Sequence, residues 1–199
     1  MIVWQSPAMP FKSSYVKQRD LLYPCDWVQT KYKFYCYLQV TQHILSATGY
    51  DWKRTASICA TAKYPWNGIC YQSLGRDASG ASQYKPARAY DYCRLATRVA
   101  DCVFGAVRDF TNNDVGGTRA ARLCDLVQPT AVRGYCFYGI GTILQTFGHS
   151  NSWIATTCRS LSRQFAPECT GTLSNPERQL ITVVPSLAQV VPPALSKGA

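Results

Sequence analysis

Three sets of residues carry side chains whose type and spacing could do chemistry. The ten cysteines stand at 25, 36, 59, 70, 93, 102, 124, 136, 158 and 169. Cysteine holds zinc, attacks as a thiolate or closes disulfides. Structural zinc takes closely spaced Cys or His pairs; this chain has no Cys-x-x-Cys and two histidines, His43 and His149. No metal or cofactor is therefore expected, and the even cysteine count favours disulfides and an oxidising compartment. Reduced cysteines packing as small hydrophobes are the plain alternative.

The second set is Arg76-Asp77 and Arg108-Asp109, six and seven residues beyond Cys70 and Cys102. Gln42-His43 and Thr142-Ile143 occupy the same offsets after Cys36 and Cys136. Side by side, these would line a polar ligand-binding strip; otherwise they are solvated helix faces, where neighbouring charges contribute little. The third set is Arg54, Arg88 and Arg119, each five residues before a cysteine. Their planar forks suit carboxylates, sulfates or phosphates, or they snorkel over a neighbouring element.

A general base needs a nucleophile or substrate within reach and a group that orients it. Gly-x-Ser-x-Gly, His-Glu-x-x-His and a phosphate-cradling loop are all missing. His43 and His149 occupy unrelated places in the cysteine pattern. No catalytic residue is assigned, and an enzyme is the least favoured reading.

The elements that position these groups follow from a repeat. Taken as consecutive pairs, the cysteines leave 10, 10, 8, 11 and 10 intervening residues. First members lie 34, 34, 31 and 34 apart, second members 34, 32, 34 and 33. A sustained period of this size marks stacked supersecondary units. Tyr37, Tyr71, Val103 and Phe137 follow the second cysteine directly, and mostly small residues (Gln39, Ser73, Gly105, Gly139, Thr172) stand three beyond it.

Within one unit, Ala89, Tyr92, Cys93, Ala96, Val99 and Ala100 recur at helical spacing. Turn formers mark the middle of other units: Pro65, Asn67 and Gly68; Pro129 and Gly134; Pro167. Between units lie "SATGYDW", "ASGASQYKP", "TNNDVGG" and "FGHSNSW", all turn-rich. The expected fold is all-α. It is an α-solenoid of about five helical hairpins, each stapled by one bridge: Cys25–Cys36, Cys59–Cys70, Cys93–Cys102, Cys124–Cys136 and Cys158–Cys169. A bridge over so short a loop contributes about 3 kcal/mol on the chain-entropy model.

The two cysteines per unit, the small residues in "CYQSLG" and "CFYGIG" and the period resemble the disulfide-bridged Sel1-like repeats of secreted cysteine-rich bacterial proteins, relatives of the tetratricopeptide class. That resemblance implies helical hairpins stacked in a curved array that serves binding. It covers residues 20–175 and carries over no catalytic residue.

The expected organisation is an N-terminal extension over 1–19 and five units at 20–53, 54–87, 88–118, 119–152 and 153–175. An extended tail over 176–199 follows, because Pro185, Pro192 and Pro193 interrupt its apolar segments. The opening "MIVWQSPAMPFKSS" has no basic head followed by an apolar run. A mature chain, or a start inside a larger protein, is expected. No apolar run is long enough to span a membrane.

Lys and Arg (21) outnumber Asp and Glu (11), for a net charge of +10, which favours acidic partners. Tyr32, Phe34, Tyr35 and Tyr37 beside Lys31 and Lys33 make the first unit both basic and aromatic. This suits stacking on nucleic acid or sugars or packing in helix seams; an oxidising compartment disfavours nucleic acid. The leading expectation is an extracellular or periplasmic, non-catalytic binding protein, an accessory subunit that engages a partner protein or larger assembly through the solenoid surface and the apolar tail. The alternatives are an anionic glycan or envelope-polymer binder and a cell-envelope enzyme.

Overall fold

The computed structural model describes residues 20–128 and 130–171, apart from the side chain at 131. The expected extension over 1–19 and tail over 176–199 lie outside them. The described residues are mostly helical, without a β-strand. The helices are α1 (Thr30–Tyr37), α2 (Val40–Ala47), α3 (Trp52–Thr61), α4 (Trp66–Ala81), α5 (Pro86–Cys93), α6 (Val99–Asn112), α7 (Thr118–Leu126), α8 (Thr130–Leu144), α9 (Asn151–Leu161) and α10 (Ala166–Thr170).

Local chemistry sets the helix starts. The Asp51 side chain accepts the Arg54 amide at 2.9 Å and caps α3, and Ser150 accepts the Trp153 amide at 3.2 Å to cap α9. Pro86 opens α5, where its missing N–H costs nothing. The Asp114 carboxylate accepts the Arg119 amide at 2.9 Å in the first turn of α7. These starts fall one or two residues ahead of the unit boundaries drawn from the cysteines. The four linking segments are turns, each with a residue in the left-handed region: Gly49 and Tyr50, Gln83 and Tyr84, Gly117, and Gly148. After α2 and α4, the amides of Tyr50 and Tyr84 return to Leu45 O (2.7 Å) and Ser79 O (3.1 Å) and satisfy terminal carbonyls.

The ten cysteines form five bridges in the expected neighbouring pairs, with Cα–Cα distances of 5.4 to 5.7 Å and no free thiol. Each of Cys59–Cys70, Cys93–Cys102, Cys124–Cys136 and Cys158–Cys169 joins a helix to the next one. The first pair departs from the expected hairpin. Cys25 lies in a run of turns over 21–27, where proline lacks an N–H and Pro24 biases Tyr23 away from helix. Its partner Cys36 is on α1, and the helical segment after it is broken at Leu38 and Gln39 before α2 begins.

Two other details correct the sequence reading. The apolar stripe from Ala89 to Ala100 is not one helix: the chain turns over Arg94–Arg98, between α5 and α6. Asn67 and Gly68 sit in the first turn of α4, and Gly134 lies inside α8. Pro65 stands directly before α4, where a turn was expected; Pro167 lies in the first turn of α10, and Pro129 falls outside the described residues.

The core follows the row α2, α4, α6, α8 and α10, in which each helix packs on the next, while α5 packs on α7. The position after the second cysteine is fully buried four times, as Tyr37, Tyr71, Val103 and Phe137. Buried tyrosine needs a partner for its hydroxyl. Tyr71 Oη donates to Ala56 O at 3.0 Å, tying α4 to α3, and Tyr37 Oη donates to Asp26 Oδ1 at 2.5 Å. The α4–α6 crossing depends on glycine. A Cβ on Gly75 would stand 1.8 Å from Cys102 O, and one on Gly105 would stand 1.9 Å from Gln72 O. No side chain larger than hydrogen fits between these backbones.

Candidate functional site

At the junction of α2, α4 and α6, polar groups that are far apart in sequence hold one another. Thr41 on α2 donates from Oγ1 to Asp77 Oδ2 at 2.7 Å and lies 2.6 Å from Ser73 Oγ. Its amide also reaches Ser73 Oγ at 3.3 Å. Arg76 pairs with Asp77 Oδ1 at 2.9 Å through one Nη and reaches Gln39 Oε1 with the other. One unit further on, Ser79 Oγ on α4 donates to Asp109 Oδ2 on α6 at 2.8 Å. Each carboxylate thus faces its predecessor unit and takes a hydroxyl from it.

Arg76, Asp77 and Asp109 line one groove of about 450 Å³. Leu45 and the rings of Tyr50 and Trp52 form its apolar side, with Gly80 and Ala81 leaving it open. Tyr50 is 67% exposed, held at the groove by the left-handed turn after α2. Trp52, at the start of α3, stacks on Tyr92 of α5 at 4.0 Å. Burial pushes the Asp109 carboxyl above the ordinary value, and the nearby Asp77 charge adds to that, while the Ser79 hydroxyl and Arg76 oppose it. The groove therefore combines a guanidinium, two carboxylates in unlike environments and an aromatic wall.

The polar strip expected from the sequence is realised in part. Arg76, Asp77 and Asp109 come together, and Gln42 joins them. Arg108 does not. The Arg-Asp dipeptide of α4 brings both of its side chains to the groove, whereas in α6 only the carboxylate reaches it. Arg108 lies 5.6 Å from the Phe104 ring, among Tyr135 and Tyr138, and its Nε is sealed from solvent. Burial lowers its proton affinity, and the two tyrosines oppose that shift. His43 is half-buried, and burial disfavours its protonated form. His149 stacks on Trp153 at 3.9 Å, far along the chain from the groove. Thr142 is turned inward and donates to its own helix at Gly139 O.

Arg54, Arg88 and Arg119 occupy the first turns of α3, α5 and α7 and are all exposed. They are not part of the groove. Thr41, Ser79, Tyr50 and Trp52 are the site residues that spacing did not single out, and Ser73 stood out only as a small residue three beyond Cys70. The pairing of Thr41 with Asp77 spans 36 residues.

Among the described residues, no group of three or more His, Cys, Asp or Glu side chains could hold a metal ion. No helix of these residues is long and apolar enough to cross a membrane. The class defined by these features is an all-helical protein cross-linked by five local disulfides, with a polar, aromatic-walled groove between its units. Compared with models of protein families, curated proteins and solved structures, the chain matches none.

Proposed function

We propose that this chain is a secreted or periplasmic binding protein without catalytic activity. In this reading it is a solenoid of five stapled helical hairpins that engages a partner protein through the groove at α2, α4 and α6. Five bridges suit an oxidising compartment. The resemblance to Sel1-like repeats points the same way, since stacked helical units make extended binding surfaces.

One observation carries the reading. The groove's polar groups are fixed before any ligand arrives, by the Thr41–Asp77, Ser79–Asp109 and Arg76–Asp77 contacts, and lie beside Tyr50 and Trp52. Tyrosine, tryptophan and arginine are the residues that most often anchor protein interfaces. Groups held in place lose little freedom on binding. A partner segment with an apolar side chain for the aromatic wall and a cation for the carboxylates fits this arrangement.

The test is capture from the native extracellular or envelope fraction, using the oxidised protein and its Tyr50→Ala/Asp77→Asn variant. The proposal expects one protein retained in high salt by the wild type and lost by the variant. Equal retention by both, or recovery only of polyanions that elute steeply with salt, would contradict it.

A further inference from the structure

A second surface lies on α3, α5, α7 and α9. Trp52 and Tyr92 stack α3 on α5, α5 packs on α7, and Leu161 at the end of α9 lies against Gly117 at the start of α7. Within their bounds these four helices hold six cations, Lys53, Arg54, Arg88, Arg119, Arg122 and Arg159, all exposed, and two acids, Asp91 and Asp125. Asp91 already pairs with Arg94.

Arg54, Arg88 and Arg119 share one register. Each stands five residues before the buried cysteine of its helix, which places it about 140° round the helix from that cysteine. They therefore recur on the same ridge of neighbouring helices. Their position is not one that helix stability selects, because the first turn is the positive end of the helix dipole and disfavours cations. Nor do ion pairs explain them. Asp51 and Asp114 accept the backbone amides of Arg54 and Arg119, and among the described residues none of the three guanidinium groups forms an ion pair. The Arg88 side chain is held on its own helix: Nε donates to Tyr92 Oη at 3.2 Å, and the guanidinium lies 5.9 Å from a ring that stacks on Trp52.

We propose that this arginine ridge is a docking surface for an extended anionic polysaccharide bearing carboxylate or sulfate groups. α5 packs on α7, and packed helices stand about 8–10 Å apart, so Arg88 and Arg119 offer planar forks at about that interval, with Arg54 joined to them across the Trp52–Tyr92 stack. Such forks bind both anions in bidentate fashion. The Trp52–Tyr92 platform supplies an apolar face for a sugar ring between charges. The disulfides favour a polymer met outside the cytosol over nucleic acid. The cations run across four helices, as a linear ligand requires.

The test uses the intact oxidised chain. Binding to heparin, polygalacturonate, double-stranded DNA and phosphatidylglycerol vesicles is measured by anisotropy or sedimentation between about 50 and 300 mM salt, a range over which charge-driven binding weakens steeply. The ridge variant is R54E/R88E/R119E. The control is K31E/K63E/R163E, which changes net charge equally from +10 to +4 at exposed positions away from the ridge. The expected result is salt-dependent binding of one or both glycans. The ridge variant should weaken it at least tenfold, the control at most about threefold, and R54K/R88K/R119K by an intermediate factor. Asp77→Asn in the groove should leave it unchanged, so failure of the groove to capture a protein does not touch this result. Equal loss in ridge variant and control, no loss in the ridge variant, or tighter binding of DNA or vesicles than of either glycan overturns the proposal. Thermal unfolding of each variant near the wild-type temperature confirms that binding is what changed.

Discussion

Replacing Gly105 by alanine should destabilise the protein, although alanine is the better helix former. In α6, the helix-propensity gain is at most about 1 kcal/mol. Against it, the new Cβ would lie 1.9 Å from Gln72 O and 2.6 Å from Gln72 C and Cα. Ordinary contact distances require α4 and α6 to part by roughly 1 Å or more. The obstacle is backbone, not a side chain that can swing aside, and Cys102, three residues earlier, is tied to Cys93. Overpacking of this kind costs about 1–3 kcal/mol, and a backbone obstacle puts it at the upper end. The net expectation is a loss of about 2 kcal/mol, or about 4–8 °C in Tm for a chain of this size. Thermal unfolding followed by circular dichroism without reductant measures it. Gly80 in α4 is the control, since nothing lies within 4 Å of its added Cβ. Gly80→Ala should be neutral or raise Tm by up to about 4 °C. Gly75→Ala should resemble Gly105→Ala, and the double variant should lose less than the sum, because both act on one crossing. A Gly105→Ala protein that melts at or above the wild-type temperature would refute the close α4–α6 approach.

Three further outcomes follow from the same structure. Thr41→Val removes the hydroxyl shared by Asp77 and Ser73 while keeping its volume; it should cost about 1–3 kcal/mol, read by chemical denaturation. Asp109 is held above the ordinary carboxyl value, so its folded form resists ionisation and stability falls as pH rises from about 4. Asp109→Asn should therefore raise Tm at pH 7, with the gain shrinking to nothing below about pH 4; a gain independent of pH would assign it to something other than charge. Removing one staple as Cys59→Ala/Cys70→Ala should cost about 3 kcal/mol and leave the other bridges formed, as unreduced peptide mapping would show.

Helicity and cysteine pairing were legible because both are local. Ten or so residues between paired cysteines leave room for a turn and little else, and Tyr37, Tyr71, Val103 and Phe137 sit at a fixed offset from a bridge that must be buried. The first unit was less legible: Pro24 turns the chain at Cys25, and the apolar spacing there says nothing about it. The stripe from Ala89 to Ala100 misled for a related reason, since helical spacing can persist by chance across a tight turn. At the groove, the offset from the second cysteine found Arg76, Asp77 and Asp109 but also Arg108, because offset does not report what surrounds a side chain: Arg76 meets Asp77 and Gln39, whereas Arg108 packs against the Phe104 ring. Thr41 and Ser79 escaped notice, and Ser73 was read only as a small residue, because their partners lie on other units and nothing in spacing reports which hydroxyl meets which carboxylate. Tyr50 reaches the groove through a left-handed turn that side chains rarely adopt.

The groove, the arginine ridge and the α4–α6 crossing all depend on local stapling, and peptide mapping of the unreduced protein tests that most directly. Digestion without reductant should release five linked pairs, Cys25–Cys36, Cys59–Cys70, Cys93–Cys102, Cys124–Cys136 and Cys158–Cys169, with no thiol available to alkylation. A bridge between non-neighbouring cysteines, or alkylation of the native chain at several of them, would contradict it.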